Sequence, residues 1–259
     1  MTESSPTLIF EQQAAEDHLR VWQQGERRWL DFNDGLIQSE ILVGKPELLP
    51  LPLNRSMLSG ALFGAAPKRV LLVGSGGGAT ARYFASRFPQ VKGDAVDISA
   101  SVLSIARRYF DFPESEQWQL IHADITDYVE TCTEQYDLII IDIAVEQKTP
   151  EWIIEQHFLT RCRSLLTPSG HVAFNLLVDD ANGFMHYLAA IRRSFDQRTA
   201  CLSVPNYRNI VVLGFNSATQ FEVPISDERI LSLEQDWGIE FSSFYRQMLI
   251  DNPIGSGVF

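Results

Sequence analysis

The segment Arg69-Val70-Leu71-Leu72-Val73-Gly74-Ser75-Gly76-Gly77-Gly78-Ala79-Thr80 decides the fold of this 259-residue chain. An apolar run passes into glycines and then into a helix-like stretch that ends near Phe88, which predicts a strand, a tight turn and a helix N-terminus. Glycines lack a Cβ atom, so a ligand can contact their backbone, and the free N–H groups at a helix start favour an anionic or electron-rich partner. We therefore expect Gly74, Ser75, Gly76 and Gly78 to bind a nucleoside-containing small molecule.

A carboxylate follows the next predicted strand. Lys92 to Val96 form that strand, and Asp97 comes directly after it, roughly 20 residues beyond the glycines. A carboxylate at this position can accept hydrogen bonds from both hydroxyls of a ribose. Asp97 and the neighbouring Ile98 are therefore predicted to bind the nucleoside.

The chain beyond residue 60 alternates strands and helices. Strands are predicted at 70–73, 92–96, 117–121, 137–141, about 171–177, 198–204 and 209–215. Helices are predicted at 79–88, 100–110, shortly after Asp124, and at 151–164, 181–194, 225–233 and 241–250. The apolar runs are continuous, as expected for parallel strands covered on both faces. The pattern predicts an α/β fold with a doubly wound seven-stranded sheet.

The first part of the chain predicts a small β-rich domain. A turn signal at Asn33-Asp34-Gly35 separates the last two of four short alternating segments, which lie near Leu8–Glu11, Leu19–Gln23, Arg28–Phe32 and Leu36–Val43. Three prolines between 46 and 52 then mark a linker, and Asn54 to Phe63 predicts a helix. We expect a β-rich domain with its linker at 1–60 and a Rossmann-like nucleoside-binding catalytic domain at 61–259.

Two further acids decide between nucleoside ligands. The spacing Gly74-x-Gly76-x-x-Ala79 also satisfies a loose dinucleotide fingerprint, which leaves a nicotinamide cofactor open. Asp124 follows the third strand, however, and Asp142 ends the fourth, so that acids follow three successive strands at the sheet edge where ligands bind. This pattern is typical of proteins that bind S-adenosylmethionine, in which Asp124 and Ile125 would face the adenine. Asp124 is equally consistent with a helix N-cap.

Composition excludes several classes of function. A net charge of -12 argues against a nucleic-acid partner, which clustered Lys and Arg would bind. Three distant cysteines and five histidines show no metal-ligand spacing, so no metal is expected. The sequence has no targeting segment and no apolar run long enough to span a bilayer, so we expect a cytoplasmic protein without a membrane partner.

The chain resembles the spermidine synthase (polyamine aminopropyltransferase) family over most of its length. Asp34-Gly35-Leu36-Ile37-Gln38 is similar to the family's Asp-Gly-x-x-Gln hairpin, and Gly74 to Gly78 stands where the family has Gly-Gly-Gly-Asp-Gly. Val204-Pro205-Asn206-Tyr207 resembles its Pro-Thr-Tyr segment. The resemblance implies a Rossmann-like fold of the S-adenosylmethionine methyltransferase type with a small N-terminal β-hairpin domain. It also implies that Gln38 contacts the nucleoside, that Tyr207 lines the amine site and that the protein forms a homodimer.

The departures from this pattern concern the amine site. Gly77 replaces the family's Asp, Pro52-Leu53-Asn54-Arg55 stands near its Tyr-x-Glu-Met helix, and Asp142-Ile143-Ala144-Val145 replaces Asp-Ser-Ser-Asp. Asp142 remains as the candidate base and Tyr207 as an orienting hydroxyl. Glu146 lies one residue beyond the position of the family's second Asp.

Three hypotheses follow. The first is a transferase that moves an aminopropyl group from decarboxylated S-adenosylmethionine to an amine acceptor. The second is a methyltransferase that uses S-adenosylmethionine itself, in which Gly77 removes an acid near the amino-acid tail and Arg55 meets the donor carboxylate. The third is a non-catalytic homologue that binds a nucleoside.

Overall fold

The computed structural model describes residues 5–13, 18–217 and 224–253, which contain two sheets. The first is antiparallel, with the strands in chain order: β1 (Thr7–Gln13), β2 (His18–Gln24), β3 (Arg27–Asp31) and β4 (Ile37–Leu42). Leu19, Val21, Leu30 and Ile41 are almost fully buried on one face of this sheet. The predicted β-rich N-terminal part is therefore confirmed, and its apolar face packs on the rest of the molecule.

The second sheet has seven strands in the order β10-β11-β9-β8-β5-β6-β7. They are β5 (Arg69–Val73), β6 (Lys92–Asp97), β7 (Trp118–His122), β8 (Tyr136–Ile141), β9 (Leu166–Leu176), β10 (Thr199–Ser203) and β11 (Ile210–Phe215). Strands β5 to β9 run parallel to one another, and β11 runs antiparallel to both of its neighbours, β9 and β10. This confirms the predicted fold class.

Helices cover both faces of this sheet. They are α1 (Pro52–Ser56), α2 (Ala79–Arg87), α3 (Ala100–Tyr109), α4 (Ile125–Thr131), α5 (Gln156–Ser164), α6 (Ala181–Ser194), α7 (Asp227–Trp237) and α8 (Phe241–Asp251). Val70 and Leu72 of β5 pack in the core with α2, α3, α7, α8 and the N-terminal sheet. Leu71 and Val73 point the other way, into the core with α4, α5 and α6. The two-residue period of a strand thus supplies both cores.

The segment before β5 differs from the sequence prediction. A single helix was expected over Asn54 to Phe63, whereas α1 ends at Ser56 and a 3-10 turn covers Ser59–Phe63. Gly60 weakens a helix at this point, and a Cβ atom there would lie 2.0 Å from Nε2 of His171 in β9. The chain therefore changes conformation where its backbone approaches the sheet most closely.

Two other boundaries also move. The helix expected at 151–164 divides into a 3-10 turn, Glu151–Ile154, and α5. Strand β9 starts at Leu166, before the expected position, and the register between β8 and β9 shifts after Tyr136. Among the described residues, no helix is long and apolar enough to cross a membrane.

Candidate functional site

The glycine-rich turn lies at the carboxyl edge of the seven-stranded sheet, between the ends of β6 and β8. The backbone N–H of Gly74 donates to the carbonyl of Val96 at 3.0 Å. Gly74, Gly76 and Gly78 have φ values of 77°, 49° and 76°, a left-handed conformation that glycine adopts without strain. A Cβ atom at Gly74 would also lie 2.1 Å from the carbonyl oxygen of Asp142. The fold therefore requires glycine here on two independent grounds.

Asp97 fixes this turn from the end of β6. Its Oδ2 accepts the backbone N–H of Ser75 at 3.0 Å, and its Oδ1 accepts the N–H of Ser99 at 2.9 Å. Burial raises the pKa of the Asp97 carboxyl, and these backbone hydrogen bonds oppose the rise. Ile98 follows and is 68% exposed, so its side chain is available to a ligand at the same edge.

The N-terminal sheet reaches over the turn through β4. A Cβ atom at Gly76 would lie 3.5 Å from Cβ of Ser39 and 3.7 Å from the carbonyl oxygen of Gln38. The side chain of Gln38 is exposed, and its Nε2 donates to Oδ2 of Asp34 at 3.1 Å. The hairpin motif and the glycine motif therefore meet in space, although 36 residues separate Gln38 from Gly74.

A narrow cleft forms between these elements. Its lining residues come from β4, α1, β5, the glycine-rich turn, α2 and β8: Gln38, Ser39, Asn54, Met57, Leu72, Val73, Gly74, Ser75, Gly76, Ala79, Thr80, Ile140 and Asp142. Sequence reasoning did not select Ser39, Met57 or Thr80. Asn54 was signalled only by its place near the family's Tyr-x-Glu-Met helix.

Asp142 forms the floor of the cleft at the end of β8. Its backbone N–H donates to the carbonyl of Val73 at 2.9 Å, which ties it to β5. Its Oδ1 accepts a hydrogen bond from Nδ2 of Asn175 at 2.7 Å. Removal from solvent raises the pKa of the Asp142 carboxyl, and the hydrogen bond from Asn175 opposes this rise. A carboxylate with a raised pKa is suited to accept a proton near neutral pH.

Asp124 caps a helix in the structure. Its Oδ1 accepts both the backbone N–H and the hydroxyl of Thr126 at 2.8 Å, which makes it the N-cap of α4. The side chain is exposed, whereas that of Ile125 is buried. The N-cap prediction for Asp124 is therefore confirmed. Contact of Asp124 and Ile125 with adenine stays a prediction.

Two residues considered for the amine site, Tyr207 and Glu146, lie on exposed loops and are not among the lining residues of the cleft. Tyr207 is 44% exposed in the turn between β10 and β11, and Glu146 is exposed in the loop after β8. The neighbouring side chains Lys148 and Arg208 both approach Asp179, at 2.6 Å and 3.6 Å. These ion pairs connect the loops that follow β8, β9 and β10. The catalytic role of Tyr207 stays a prediction.

Arg55 is engaged elsewhere. Its guanidinium pairs with the carboxylate of Glu240 at 2.9 Å and also donates to the carbonyls of Leu49 and Pro50. Asn54, one residue earlier, lines the cleft in its place. The expectation that Arg55 meets a donor carboxylate has no support in this arrangement.

Gly77 has no space for a side chain. A Cβ atom there would lie 2.6 Å from Cδ1 of Phe110 and 2.8 Å from Oγ of Ser39. Phe110 is fully buried, so its ring cannot move into solvent. The position of the family's Asp is therefore closed by packing as well as changed in sequence.

Comparison with known proteins connects this geometry to two groups of transferases. Residues 70–170 match a family model described as a methyltransferase domain. Over 236 residues the chain is 26% identical to a polyamine aminopropyltransferase of Neisseria meningitidis, which covers 90% of this chain and 89% of that protein. A polyamine aminopropyltransferase of Chromobacterium violaceum is 27% identical over 92% of both chains. The human eEF1A lysine and N-terminal methyltransferase is 31% identical over 50% of this chain and 20% of its own.

Solved structures show the same fold. A probable spermidine synthase from Corynebacterium glutamicum superposes with a TM-score of 0.74 at 22% identity, over 88% of this chain and 86% of that chain. Human methyltransferase-like protein 13, solved in complex with SAH, gives a TM-score of 0.63 at 24% identity over 76% of this chain and 93% of its own. A spermidine synthase bound to the transition-state analogue AdoDATO gives 0.68 at 16% identity, over 97% of this chain and 87% of its own. The resemblance inferred from the motifs is confirmed.

Proposed function

We propose that this chain, a divergent relative of the spermidine synthases, transfers an aminopropyl group from decarboxylated S-adenosylmethionine to an amine. The observation that carries the proposal is that Gln38, Gly76 and Asp142 line one cleft, although they come from two sheets. Methyltransferases that share only the Rossmann-like part have no need of the Gln38 hairpin. Its position over the glycine-rich turn therefore favours the aminopropyltransferase-like assembly.

The donor site consists of the glycine-rich turn, part of which lines the cleft, together with Asp97 and Ile98 at the end of β6. In this proposal Asp97 accepts hydrogen bonds from the ribose hydroxyls, while the turn allows the nucleoside to contact Gly74 to Gly78. Ile98 packs on the adenine ring. Asp124 and Ile125 complete the adenine site at the next strand end.

The acceptor side of the cleft centres on Asp142, and we assign Tyr207, from the loop between β10 and β11, to the same side. An alkyl amine resembles lysine, with a pKa of about 10.4, so it must lose a proton before its nitrogen can attack. Asp142 accepts that proton, and the nitrogen then bonds to the carbon next to the donor sulfur. The carbon–sulfur bond breaks, and its electron pair stays on sulfur, which converts the sulfonium to a neutral thioether. Tyr207 orients the amine.

The same proposal extends to the setting of the enzyme. Its products belong to polyamine biosynthesis in the cytoplasm, and residues 1–60 and 61–259 act as its β-rich and catalytic domains. The outer face of the N-terminal sheet carries Trp22 and Trp29, stacked with ring centroids 6.4 Å apart and both partly exposed. Such a face is suited to homodimer formation.

Methyl transfer from intact S-adenosylmethionine is the second candidate. The closed space at Gly77 favours it, because no acid at that position can hold the amino group of an aminopropyl donor. The match of residues 70–170 to a methyltransferase domain is a further argument for this candidate.

Calorimetric titration with decarboxylated and intact S-adenosylmethionine tests the donor. Mass spectrometry of incubations with a panel of amines then tests the transfer. We expect tighter binding of the decarboxylated donor and a mass increase of one aminopropyl group on an amine. A methyl increase instead establishes the second candidate, and binding without any product establishes the non-catalytic homologue. Gln38→Ala is the informative variant. It should lower the affinity for the donor only if the hairpin contacts the nucleoside.

A further inference from the structure

Two amide side chains form a chain of hydrogen bonds behind the acceptor carboxylate. Nδ2 of Asn175 donates to Oδ1 of Asp142 at 2.7 Å, and Nδ2 of Asn209 donates to Oδ1 of Asn175 at 2.9 Å. The chain begins at the end of β8, crosses β9 and ends at the residue before β11. Three strands that meet at the catalytic edge thus share one polar connection.

The direction of this chain follows from chemistry. An ionised carboxylate only accepts hydrogen bonds, so Asn175 must turn its NH2 group towards Asp142. The carbonyl oxygen of Asn175 then faces Asn209, which must also present its NH2 group. Both amide dipoles therefore direct their positive ends towards Asp142, and each bond strengthens the other.

The surrounding structure holds both amides in place. Asn175 is 5% exposed, its main chain pairs with Val211, and its carbonyl accepts the hydroxyl of Thr149 at 3.3 Å. The main-chain carbonyl of Asn209 accepts the N–H of Val204 at 3.1 Å. Neither side chain needs to reorganise when Asp142 changes its protonation state, so the site is preorganised.

We propose that Asn175, supported by Asn209, is a positioning residue that keeps Asp142 ionised and directs its Oδ2 towards the acceptor. This role rests on the proposed function of Asp142 as the base. Burial favours the neutral acid, whereas a hydrogen bond donated to the charged form favours the carboxylate. The amide chain occupies Oδ1 and leaves the second oxygen for the substrate.

Other charged groups do not take over this role within the part of the chain that the structure describes. The cleft side chains from β4, α1 and α2 are uncharged. Asp97 lies across the glycine-rich turn and accepts backbone N–H groups there. The charged residues Glu146, Lys148, Asp179 and Arg208 lie on the loops after β8, β9 and β10, outside the cleft lining, and both cations approach Asp179.

Carbon-13 NMR titration of the Asp142 carboxyl group tests the proposal without any substrate. Asn175→Leu keeps the branched shape of the side chain and removes the donor, so we expect the pKa of Asp142 to rise by about one pH unit or more. Thr149→Val is the matched control. It removes the hydrogen bond to the backbone carbonyl of Asn175 and should leave the pKa of Asp142 unchanged. An unchanged pKa in Asn175→Leu, or an equal rise in Thr149→Val, overturns the proposal.

A second variant covers the case in which Asn175→Leu fails to fold. Asn209→Leu removes only the outer bond and should raise the pKa of Asp142 by a smaller amount, and no rise in that variant overturns the proposal. Where an amine is turned over, the acidic limb of the pH–rate profile should move to higher pH with the NMR titration. Absence of turnover with every amine removes the proposed function but leaves the titration result standing.

Discussion

The proposed donor side of the site is held by backbone groups, whereas the proposed acceptor side is held by side chains. On the donor side, left-handed glycines and the N–H groups of Ser75 and Ser99 set the geometry around Asp97. On the acceptor side, Asp142 depends on Asn175, an amide 33 residues away in sequence. On this assignment, the nucleoside site depends on residues that are close together in sequence. The catalytic carboxylate depends on a side-chain contact that a single distant substitution can alter.

The largest expected effect separates chemistry from binding. Asp142→Asn should lower turnover by about 10²–10⁴-fold, the range typical of a positioned general base, because the carboxamide keeps the shape but loses the proton affinity. Donor affinity, measured by calorimetry, should change little. Tyr207→Phe is the matched variant on the loop between β10 and β11. Loss of its single hydroxyl should lower turnover by about tenfold at most. Full activity of Asp142→Asn excludes Asp142 as the base.

The donor side is tested by Asp97→Ala. Two hydrogen bonds to a charged acceptor disappear, each contributing about 1.5–3 kcal/mol, so donor affinity should fall by at least about 10²-fold. Calorimetric titration of folded protein measures the loss. An affinity equal to that of the unsubstituted chain would show that Asp97 only supports the turn.

Asp124→Ser distinguishes the two roles of the third acid. Serine is a good helix N-cap, so α4 should keep its cap while the carboxylate is lost. A fall in donor affinity without a change in thermal stability assigns Asp124 to the adenine site. Unchanged affinity limits Asp124 to capping.

A buried histidine in β9 makes the stability of the fold sensitive to pH. Burial lowers the pKa of His171 to about 4, from an ordinary value near 6.5. The unfolded chain therefore binds a proton more readily than the folded chain. His171 therefore costs no stability above pH 6.5. As the pH falls towards 4, its proton binding to the unfolded chain lowers the free energy of unfolding by about 3 kcal/mol.

Urea unfolding at several pH values measures this change. His171→Leu removes the titrating group, so the free energy of unfolding should depend less on pH between 6.5 and 4. Equal pH dependence in both proteins would assign the change to other groups.

The smallest expected effect concerns the packing around Gly77 in the glycine-rich turn. Gly77→Ala should lower the free energy of unfolding by about 1–3 kcal/mol, because a methyl group overlaps Phe110 and Ser39. Ser39→Gly in the same chain should recover part of the loss. Denaturant unfolding measures both variants, and a Gly77→Ala protein as stable as the unsubstituted chain would refute the packing argument.

The donor side could be predicted from sequence because its requirements are local. A strand, a left-handed glycine turn and an acid after the next strand leave a pattern that needs no tertiary information, and the parallel order of strands brings Asp97 and Asp142 to one edge. The family resemblance added Gln38, which local pattern alone does not connect to Gly76.

The remainder could not be predicted because it depends on contacts between distant residues. Nothing in the local sequence of Asn175 or Asn209 indicates that they meet Asp142. The need for glycine at position 60, in the 3-10 turn, depends on His171, which is 111 residues later in the chain. Arg55 was assigned to a ligand because Glu240, its actual partner, lies near the other end of the sequence.

The packing at Gly77 also limits how this chain can evolve or be engineered. Regaining the family's acid by a single Gly77→Asp substitution would force a side chain into Phe110 and Ser39 before any new charge could act. Enlarging the space first would mean truncating Phe110, a change that costs about 3–5 kcal/mol in a buried core. Both single-step routes to the family's turn therefore pass through a less stable protein, and a designer would need to exchange the three residues together.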